Sequence, residues 1–197
     1  MRGFGIIKKG EVGWMTKPDY VCGENDAIVK PLAMSPCSSD VHSAYELDSP
    51  LLKNLILGHE CCGVITEVGK YVKDFKPGDR VVIPCTTPTW WHPDFQDTVP
   101  QDAGGLYAGI NFSNTSDGTF ADQVLIRSAD MNLAHMPENL TLEQAVMISD
   151  MVTTGFHGSE LAEVKYGDSV VVFGIGPVGL MAVAGAALAG AGQLIAI

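Results

Sequence analysis

Ser169-Val170-Val171-Val172-Phe173-Gly174-Ile175-Gly176-Pro177-Val178-Gly179 reads as a strand, a tight turn and the start of a helix. The β-branched run favours extended backbone. Gly174 permits the turn, Gly176 lets backbone approach an anion, and Gly179 lets helix and strand pack closely. The helix N-terminus then presents N–H groups and a positive dipole to a dinucleotide pyrophosphate. Three glycines at this spacing are frequent by chance; the strand before and the helix after give the pattern its meaning. The helix is expected from Val178 to Ala189 and a further strand over Leu194–Ile197. That order is β-α-β, the opening of a parallel sheet. No charged residue occurs from Ser169 to Ile197, so a membrane anchor is the competing reading. The glycines and Pro177 argue against it.

Upstream, residues 3–85 break into short apolar runs separated by turn residues. Ala27-Ile28-Val29-Lys30 precedes Pro31, and Gly63-Val64-Ile65-Thr66-Glu67-Val68 precedes Gly69. Arg80-Val81-Val82-Ile83 follows the turn Lys76-Pro77-Gly78-Asp79. Many short strands with regular turns point to a partly open β-barrel. Residues 86–118 read as a long irregular loop, and 119–127 as a strand. Thr141-Leu142-Glu143-Gln144 has capping-box spacing and opens a helix into Ala145-Val146-Met147-Ile148. A second helix is expected from Thr154 to Ala162. The fold class is therefore mixed α/β, with a β-rich domain over 1–151 and the β-α-β unit over 152–197.

The chain has 197 residues, 46% of them hydrophobic, which supports a packed core. Its net charge of −11, with no basic run among aromatics, excludes a nucleic-acid partner. The N-terminus has no long apolar stretch or cleavage site. Cys22, Cys37, Cys61, Cys62 and Cys85 make an odd set with no disulfide framework, which fits free thiols in a cytoplasmic protein. Three matches to the glycosylation pattern, at Asn111, Asn114 and Asn139, read as chance.

Cys37 and His59 offer zinc a thiolate and an imidazole. Their long separation excludes a zinc finger and suits a site assembled from separate loops. Taken alone, a buried Cys and a core His are the commoner reading. The polar cluster Ser38, Ser39, Asp40 and His42 after an apolar strand favours a site. His59-Glu60 lacks the second His of a metalloprotease helix, since Gly63 stands there. Asp150, in Met147-Ile148-Ser149-Asp150-Met151, needs a partner, a metal or a helix-end interaction. Pattern alone does not choose among these.

Gly58-His59-Glu60-Cys61-Cys62-Gly63, Gly69 and Lys76-Pro77-Gly78-Asp79-Arg80-Val81 together resemble the signature of zinc-containing medium-chain alcohol dehydrogenases. Ser35-Pro36-Cys37-Ser38-Ser39-Asp40-Val41-His42 and Asp150-Met151-Val152-Thr153-Thr154-Gly155-Phe156-His157-Gly158 narrow the resemblance. With Gly174-Ile175-Gly176-Pro177-Val178-Gly179, they are similar to the NADP-dependent secondary-alcohol branch of anaerobic bacteria and protists. The resemblance implies a GroES-like barrel joined to a Rossmann domain, with catalysis in the cleft. It implies Cys37, His59 and Asp150 as ligands of one catalytic zinc, and Glu60 as an exchangeable fourth ligand. Ser39 and His42 match its proton-relay positions. Gly174, Gly176, Pro177, Val178, Gly179 and Ser38 match its cofactor contacts, with NADP expected and NAD also compatible. The implied reaction interconverts a small secondary alcohol and its ketone, in a homotetramer without membrane association.

Residues 86–118 contain no Cys, so no structural zinc is expected. Ile110 stands where the branch usually has a Trp lining the substrate pocket, and Leu47-Asp48-Ser49-Pro50 also departs from it. A smaller residue at 110 widens the pocket. The residue that separates NAD from NADP is expected about 20 residues past the turn, beyond Ile197. The chain therefore reads as an N-terminal fragment of a dehydrogenase, with zinc binding but little turnover of its own. The alternative is a non-catalytic zinc-binding truncation product.

Overall fold

Arg2–Lys8 (β1) and Glu11–Thr16 (β2) form an antiparallel hairpin, with Phe4 opposite Trp14. Leu55–Ile56 (β4) pairs with the other edge of β1, giving the order β2-β1-β4. A second antiparallel sheet has the order β7-β3-β5-β6-β8. Its strands are Ala27–Ser35 (β3), Glu60–Val68 (β5), Arg80–Ile83 (β6), Val124–Ile126 (β7) and Ala134–His135 (β8). The computed structural model describes residues 1–47, 49–88 and 111–197. They pack as two units, Met1–Val146 and Met147–Ile197.

Strand periodicity builds the core of the first unit. Cys61 and Ile65, Val81 and Ile83, and Val124 and Ile126 alternate inward and meet Val29, Phe75 and Phe112. A smaller cluster of Ile6, Leu52, Leu55 and Leu57 takes in Ala44 of the helix Ser38–Tyr45 (α1). That contact, with the Gly10 N–H donating to the Ala44 carbonyl at 2.8 Å, anchors α1 on the hairpin. Only Val124–Ile126 of the expected strand 119–127 joins a ladder. Before it, the N–H groups of Gly118, Thr119 and Phe120 donate to the carbonyls of Ile56, Gly58 and Leu57. The segment thus ties the two sheets together at the end of β4. A short helix, Ala129–Asn132 (α2), and Leu142–Met147 (α3) complete the elements before the second unit. The capping box forms: the Gln144 N–H donates to Thr141 Oγ1 at 3.3 Å, and the Thr141 N–H to Gln144 Oε1 at 3.0 Å.

The second unit holds a π-helical turn, Ile148–Val152, then Thr153–Leu161 (α4), Ser169–Val172 (β9), Pro177–Leu188 (α5) and Gln193–Ala196 (β10). β9 and β10 pair in parallel, from Ser169 opposite Gln193 to Val172 opposite Ala196. A Cβ on Gly179 would lie 1.7 Å from the Gly174 carbonyl oxygen, so only glycine permits this approach of helix to turn. Ser159 Oγ donates to the Ala182 carbonyl at 2.9 Å and binds α4 to α5. The uncharged stretch is thus strand, 12-residue helix and strand, and no helix among the described residues is long and apolar enough to cross a membrane.

Candidate metal centre

Cys37 occupies the joint between a strand and a helix. β3 ends at Ser35, Pro36 follows, and Cys37 is the extended N-cap of α1 at φ −108° and ψ 157°. Its N–H donates to Asp40 Oδ2 at 2.9 Å, the carboxylate half of a helix N-terminal box. Because α1 is anchored through Ala44, the position of Cys37 follows from the hairpin.

His59 lies in the link from β4 to β5. The preceding Gly58 has φ +95°, and a Cβ there would lie 2.4 Å from the Phe120 ring and 2.6 Å from Thr119 Oγ1. Both backbone strain and lack of space therefore require glycine. The Gly58 N–H donates to Asp40 Oδ1 at 3.0 Å. Its carbonyl accepts from the Thr119 N–H at 2.9 Å and from Ser113 Oγ at 3.0 Å. Asp40, only 5% exposed, thereby accepts from both metal-candidate segments, and its Oδ1 lies 3.5 Å from His59 Nδ1. This leaves His59 Nε2 for the site. Sequence reasoning gave Asp40 no role beyond a polar cluster; the signal was an acid three residues after a helix cap.

Cys37 Sγ, a ring nitrogen of His59 and a carboxylate oxygen of Glu60 lie within 4.8 Å of one another. Donors sharing a tetrahedral zinc sit roughly 3.5 Å apart, so the set fits that ion. Its chemistry fits as well: a soft thiolate, an imidazole and a carboxylate. Glu60 is fully buried and Cys37 and His59 are partly buried. The buried carboxyl of Glu60 beside the Cys37 thiol is a donor pair that a bound cation would complement. His59 Nε2 lies 3.9 Å from Glu60 Oε1 and 3.4 Å from Ser39 Oγ.

The other sequence candidates are distributed as follows. Ser38 and Ser39 open α1, with Ser39 turned to His59. His42 lies one turn further along, exposed, with Nδ1 2.8 Å from Glu46 Oε2. Asp150 belongs to the second unit and lies in the π-helical turn, where its Oδ1 accepts from Thr154 Oγ1 at 2.5 Å. Such a turn is often found at functional positions, and no sequence signal announced it. Gly174 takes φ +90°, Gly176 is the extended N-cap of α5, and Pro177 and Val178 are in its first turn. Ile110 and Asp48 lie outside the described residues, as do 89–109 of the expected loop. None of the five cysteines is in a disulfide, and Cys61 and Cys62 are buried in β5.

Residues 23–138 match the alcohol dehydrogenase GroES-like domain. The whole chain is 54% identical to the NADP-dependent isopropanol dehydrogenase of Thermoanaerobacter brockii, covering 56% of that protein. It is 47% identical to the enzyme of that name from Entamoeba histolytica, covering 54% of it. Among solved structures, alcohol dehydrogenase TADH from Thermus sp. ATN1 superposes with a TM-score of 0.87 at 31% identity, over 100% of this chain and 57% of that one. The chain spans about half the length of these relatives. Matched over more than half its residues, it belongs to the alcohol dehydrogenase GroES-like domain family.

Proposed function

We propose that the protein interconverts secondary alcohols and ketones by hydride transfer with NADP(H), at a single catalytic zinc. The observation that carries this reading is the meeting of Cys37, His59 and Glu60 in a member of this family. Cys37 and His59 would hold the zinc, with Glu60 as an exchangeable ligand, and the resemblance adds Asp150 as a further ligand. Thiolate and carboxylate together balance the charge of the ion, and His59 adds none. When bound, zinc supplies Lewis acidity toward the substrate oxygen. Ser39, within reach of His59, takes the proton of the alcohol hydroxyl and passes it toward exposed His42, whose ring Glu46 orients. In the reverse direction the same hydroxyl returns a proton to the product oxygen.

The resemblance extends the proposal to the cofactor. Residues 1–151 serve as the zinc domain, and 152–197 as the opening of a Rossmann domain. Gly174, Gly176, Pro177, Val178 and Gly179 would bind the pyrophosphate, and the resemblance adds Ser38 as a further cofactor contact. The names of the similar enzymes favour NADP over NAD. A cytoplasmic homotetramer without a structural zinc completes the reading. The test is NADP-dependent oxidation of 2-propanol by a protein of the relatives' length that carries this sequence, before and after chelation. Activity lost on chelation and restored by zinc supports the proposal. Activity that survives complete removal of metal refutes it.

A further inference from the structure

We propose that Ser113 is a positioning residue for the metal centre, acting through the carbonyl of Gly58. The inference rests on the zinc reading above and adds a residue to it. Ser113 is 5% exposed and takes a left-handed backbone, φ +59°. Serine has no intrinsic preference for that conformation. The fold imposes it from both sides. Phe112 is buried in the main core cluster, and the Ser113 N–H donates to the Ser116 carbonyl at 3.0 Å. The N–H groups of Asn114, Thr115 and Ser116 all converge on the Asn111 carbonyl at 3.0 to 3.2 Å. Asn111 is itself held, its Nδ2 donating to the Thr87 carbonyl at 2.6 Å. The result of this tight turn is to aim one hydroxyl at Gly58.

The peptide groups on both sides of Gly58 are thereby held. Asp40 takes its N–H, and Ser113 with Thr119 takes its carbonyl. The Gly58 carbonyl belongs to the peptide that leads into His59. Rotation of that peptide swings the imidazole, and Gly58, which has φ +95° and no Cβ to limit its backbone, does not by itself fix that peptide's orientation. Ser113 supplies a constraint from a part of the sequence 55 residues away. Partners outside the ligand set that orient the ligands change metal affinity by about 10- to 100-fold when removed.

The test compares Ser113→Ala, Ser113→Gly and Thr115→Ala with the unaltered chain. Zinc affinity is measured by competition with a chromogenic chelator, and Co²⁺ replaces zinc to give a visible spectrum of the site. Ser113→Gly accepts the left-handed backbone, so it remains informative if Ser113→Ala does not fold. Thr115→Ala removes a neighbouring bond in the same turn, Thr115 Oγ1 to Asn111 Oδ1 at 3.1 Å, without touching Gly58. Both Ser113 variants are expected to bind zinc about 10-fold more weakly and to shift the Co²⁺ bands, with Thr115→Ala unchanged. Native affinity and spectrum in Ser113→Gly would overturn the proposal, whatever Ser113→Ala does. An equal loss in Thr115→Ala would also overturn it, because the turn rather than the hydroxyl would then matter. An unaltered chain that binds no zinc would refute the zinc reading itself, a separable result.

Discussion

Replacing Asp40 by Asn changes one buried group from acceptor-only to half donor, with almost no change in shape. The carboxylate accepts from the Cys37 N–H at 2.9 Å and from the Gly58 N–H at 3.0 Å, both backbone donors that cannot turn away. The Asn oxygen satisfies one of them as a neutral bond, a loss of about 1 kcal/mol against a charged acceptor. The amide NH₂ faces the other, donor to donor, and leaves a buried N–H unsatisfied for about 2 kcal/mol more. The expected loss is therefore about 3 kcal/mol, a large share of a stability of about 5–15 kcal/mol. With a urea slope of about 2 kcal/mol/M, the unfolding midpoint falls by about 1.5 M. Measured with chelator present, the shift reports the backbone tie alone. With zinc added, affinity should also fall at least about 10-fold, since both ligand segments lose their common anchor. A metal-free midpoint within about 0.3 M of the unaltered chain would refute the role given to Asp40.

Other outcomes follow from single contacts. Gly58→Ala must place a methyl 2.4 Å from the Phe120 ring in a left-handed backbone; urea unfolding should show a loss of about 2–5 kcal/mol, and a loss below about 1 kcal/mol would show that the turn relaxes freely. Burial, and next the neighbouring Cys62, push the Cys61 thiol above its ordinary 9.0. The folded state thus keeps a proton that the unfolded state releases, so this stability is intact below pH 9 and drains away above it, by about 1.4 kcal/mol per pH unit. Cys61→Ala should flatten the alkaline limb of a stability–pH curve by that slope; an unchanged limb would contradict the burial argument. Thr141→Ala removes the hydroxyl that caps the Gln144 N–H, for about 1 kcal/mol in chemical denaturation; no measurable change would mean the α3 terminus is already frayed.

What the sequence made legible was whatever depends on local pattern. The β-branched run Ser169–Val172, the glycine turn and the helix after it are local signals, and all three form, with β10 parallel to β9. The Thr141–Gln144 box is local too, and both of its hydrogen bonds are made. The run 119–127 was only partly legible. Its first residues give their N–H groups to the carbonyls of Ile56, Leu57 and Gly58, which are distant in the chain. The same limit applied at the metal centre. Cys37 and His59 are conspicuous as residue types, whereas Asp40 and Ser113 are ordinary polar residues. Their roles come from hydrogen bonds to Gly58 across 18 and 55 residues, set by the tertiary fold. The π-helical turn at Asp150 likewise has no propensity signature.

Metal analysis of the purified chain, unaltered and as Cys37→Ser, comes closest to deciding whether this is a zinc protein. Elemental mass spectrometry after gel filtration should find one zinc per unaltered chain, removed by chelator and restored on adding Zn²⁺, and far less in Cys37→Ser. A metal-free chain that refuses added zinc, or a Cys37→Ser variant with undiminished zinc, would contradict the metal centre built here from Cys37, His59 and Glu60.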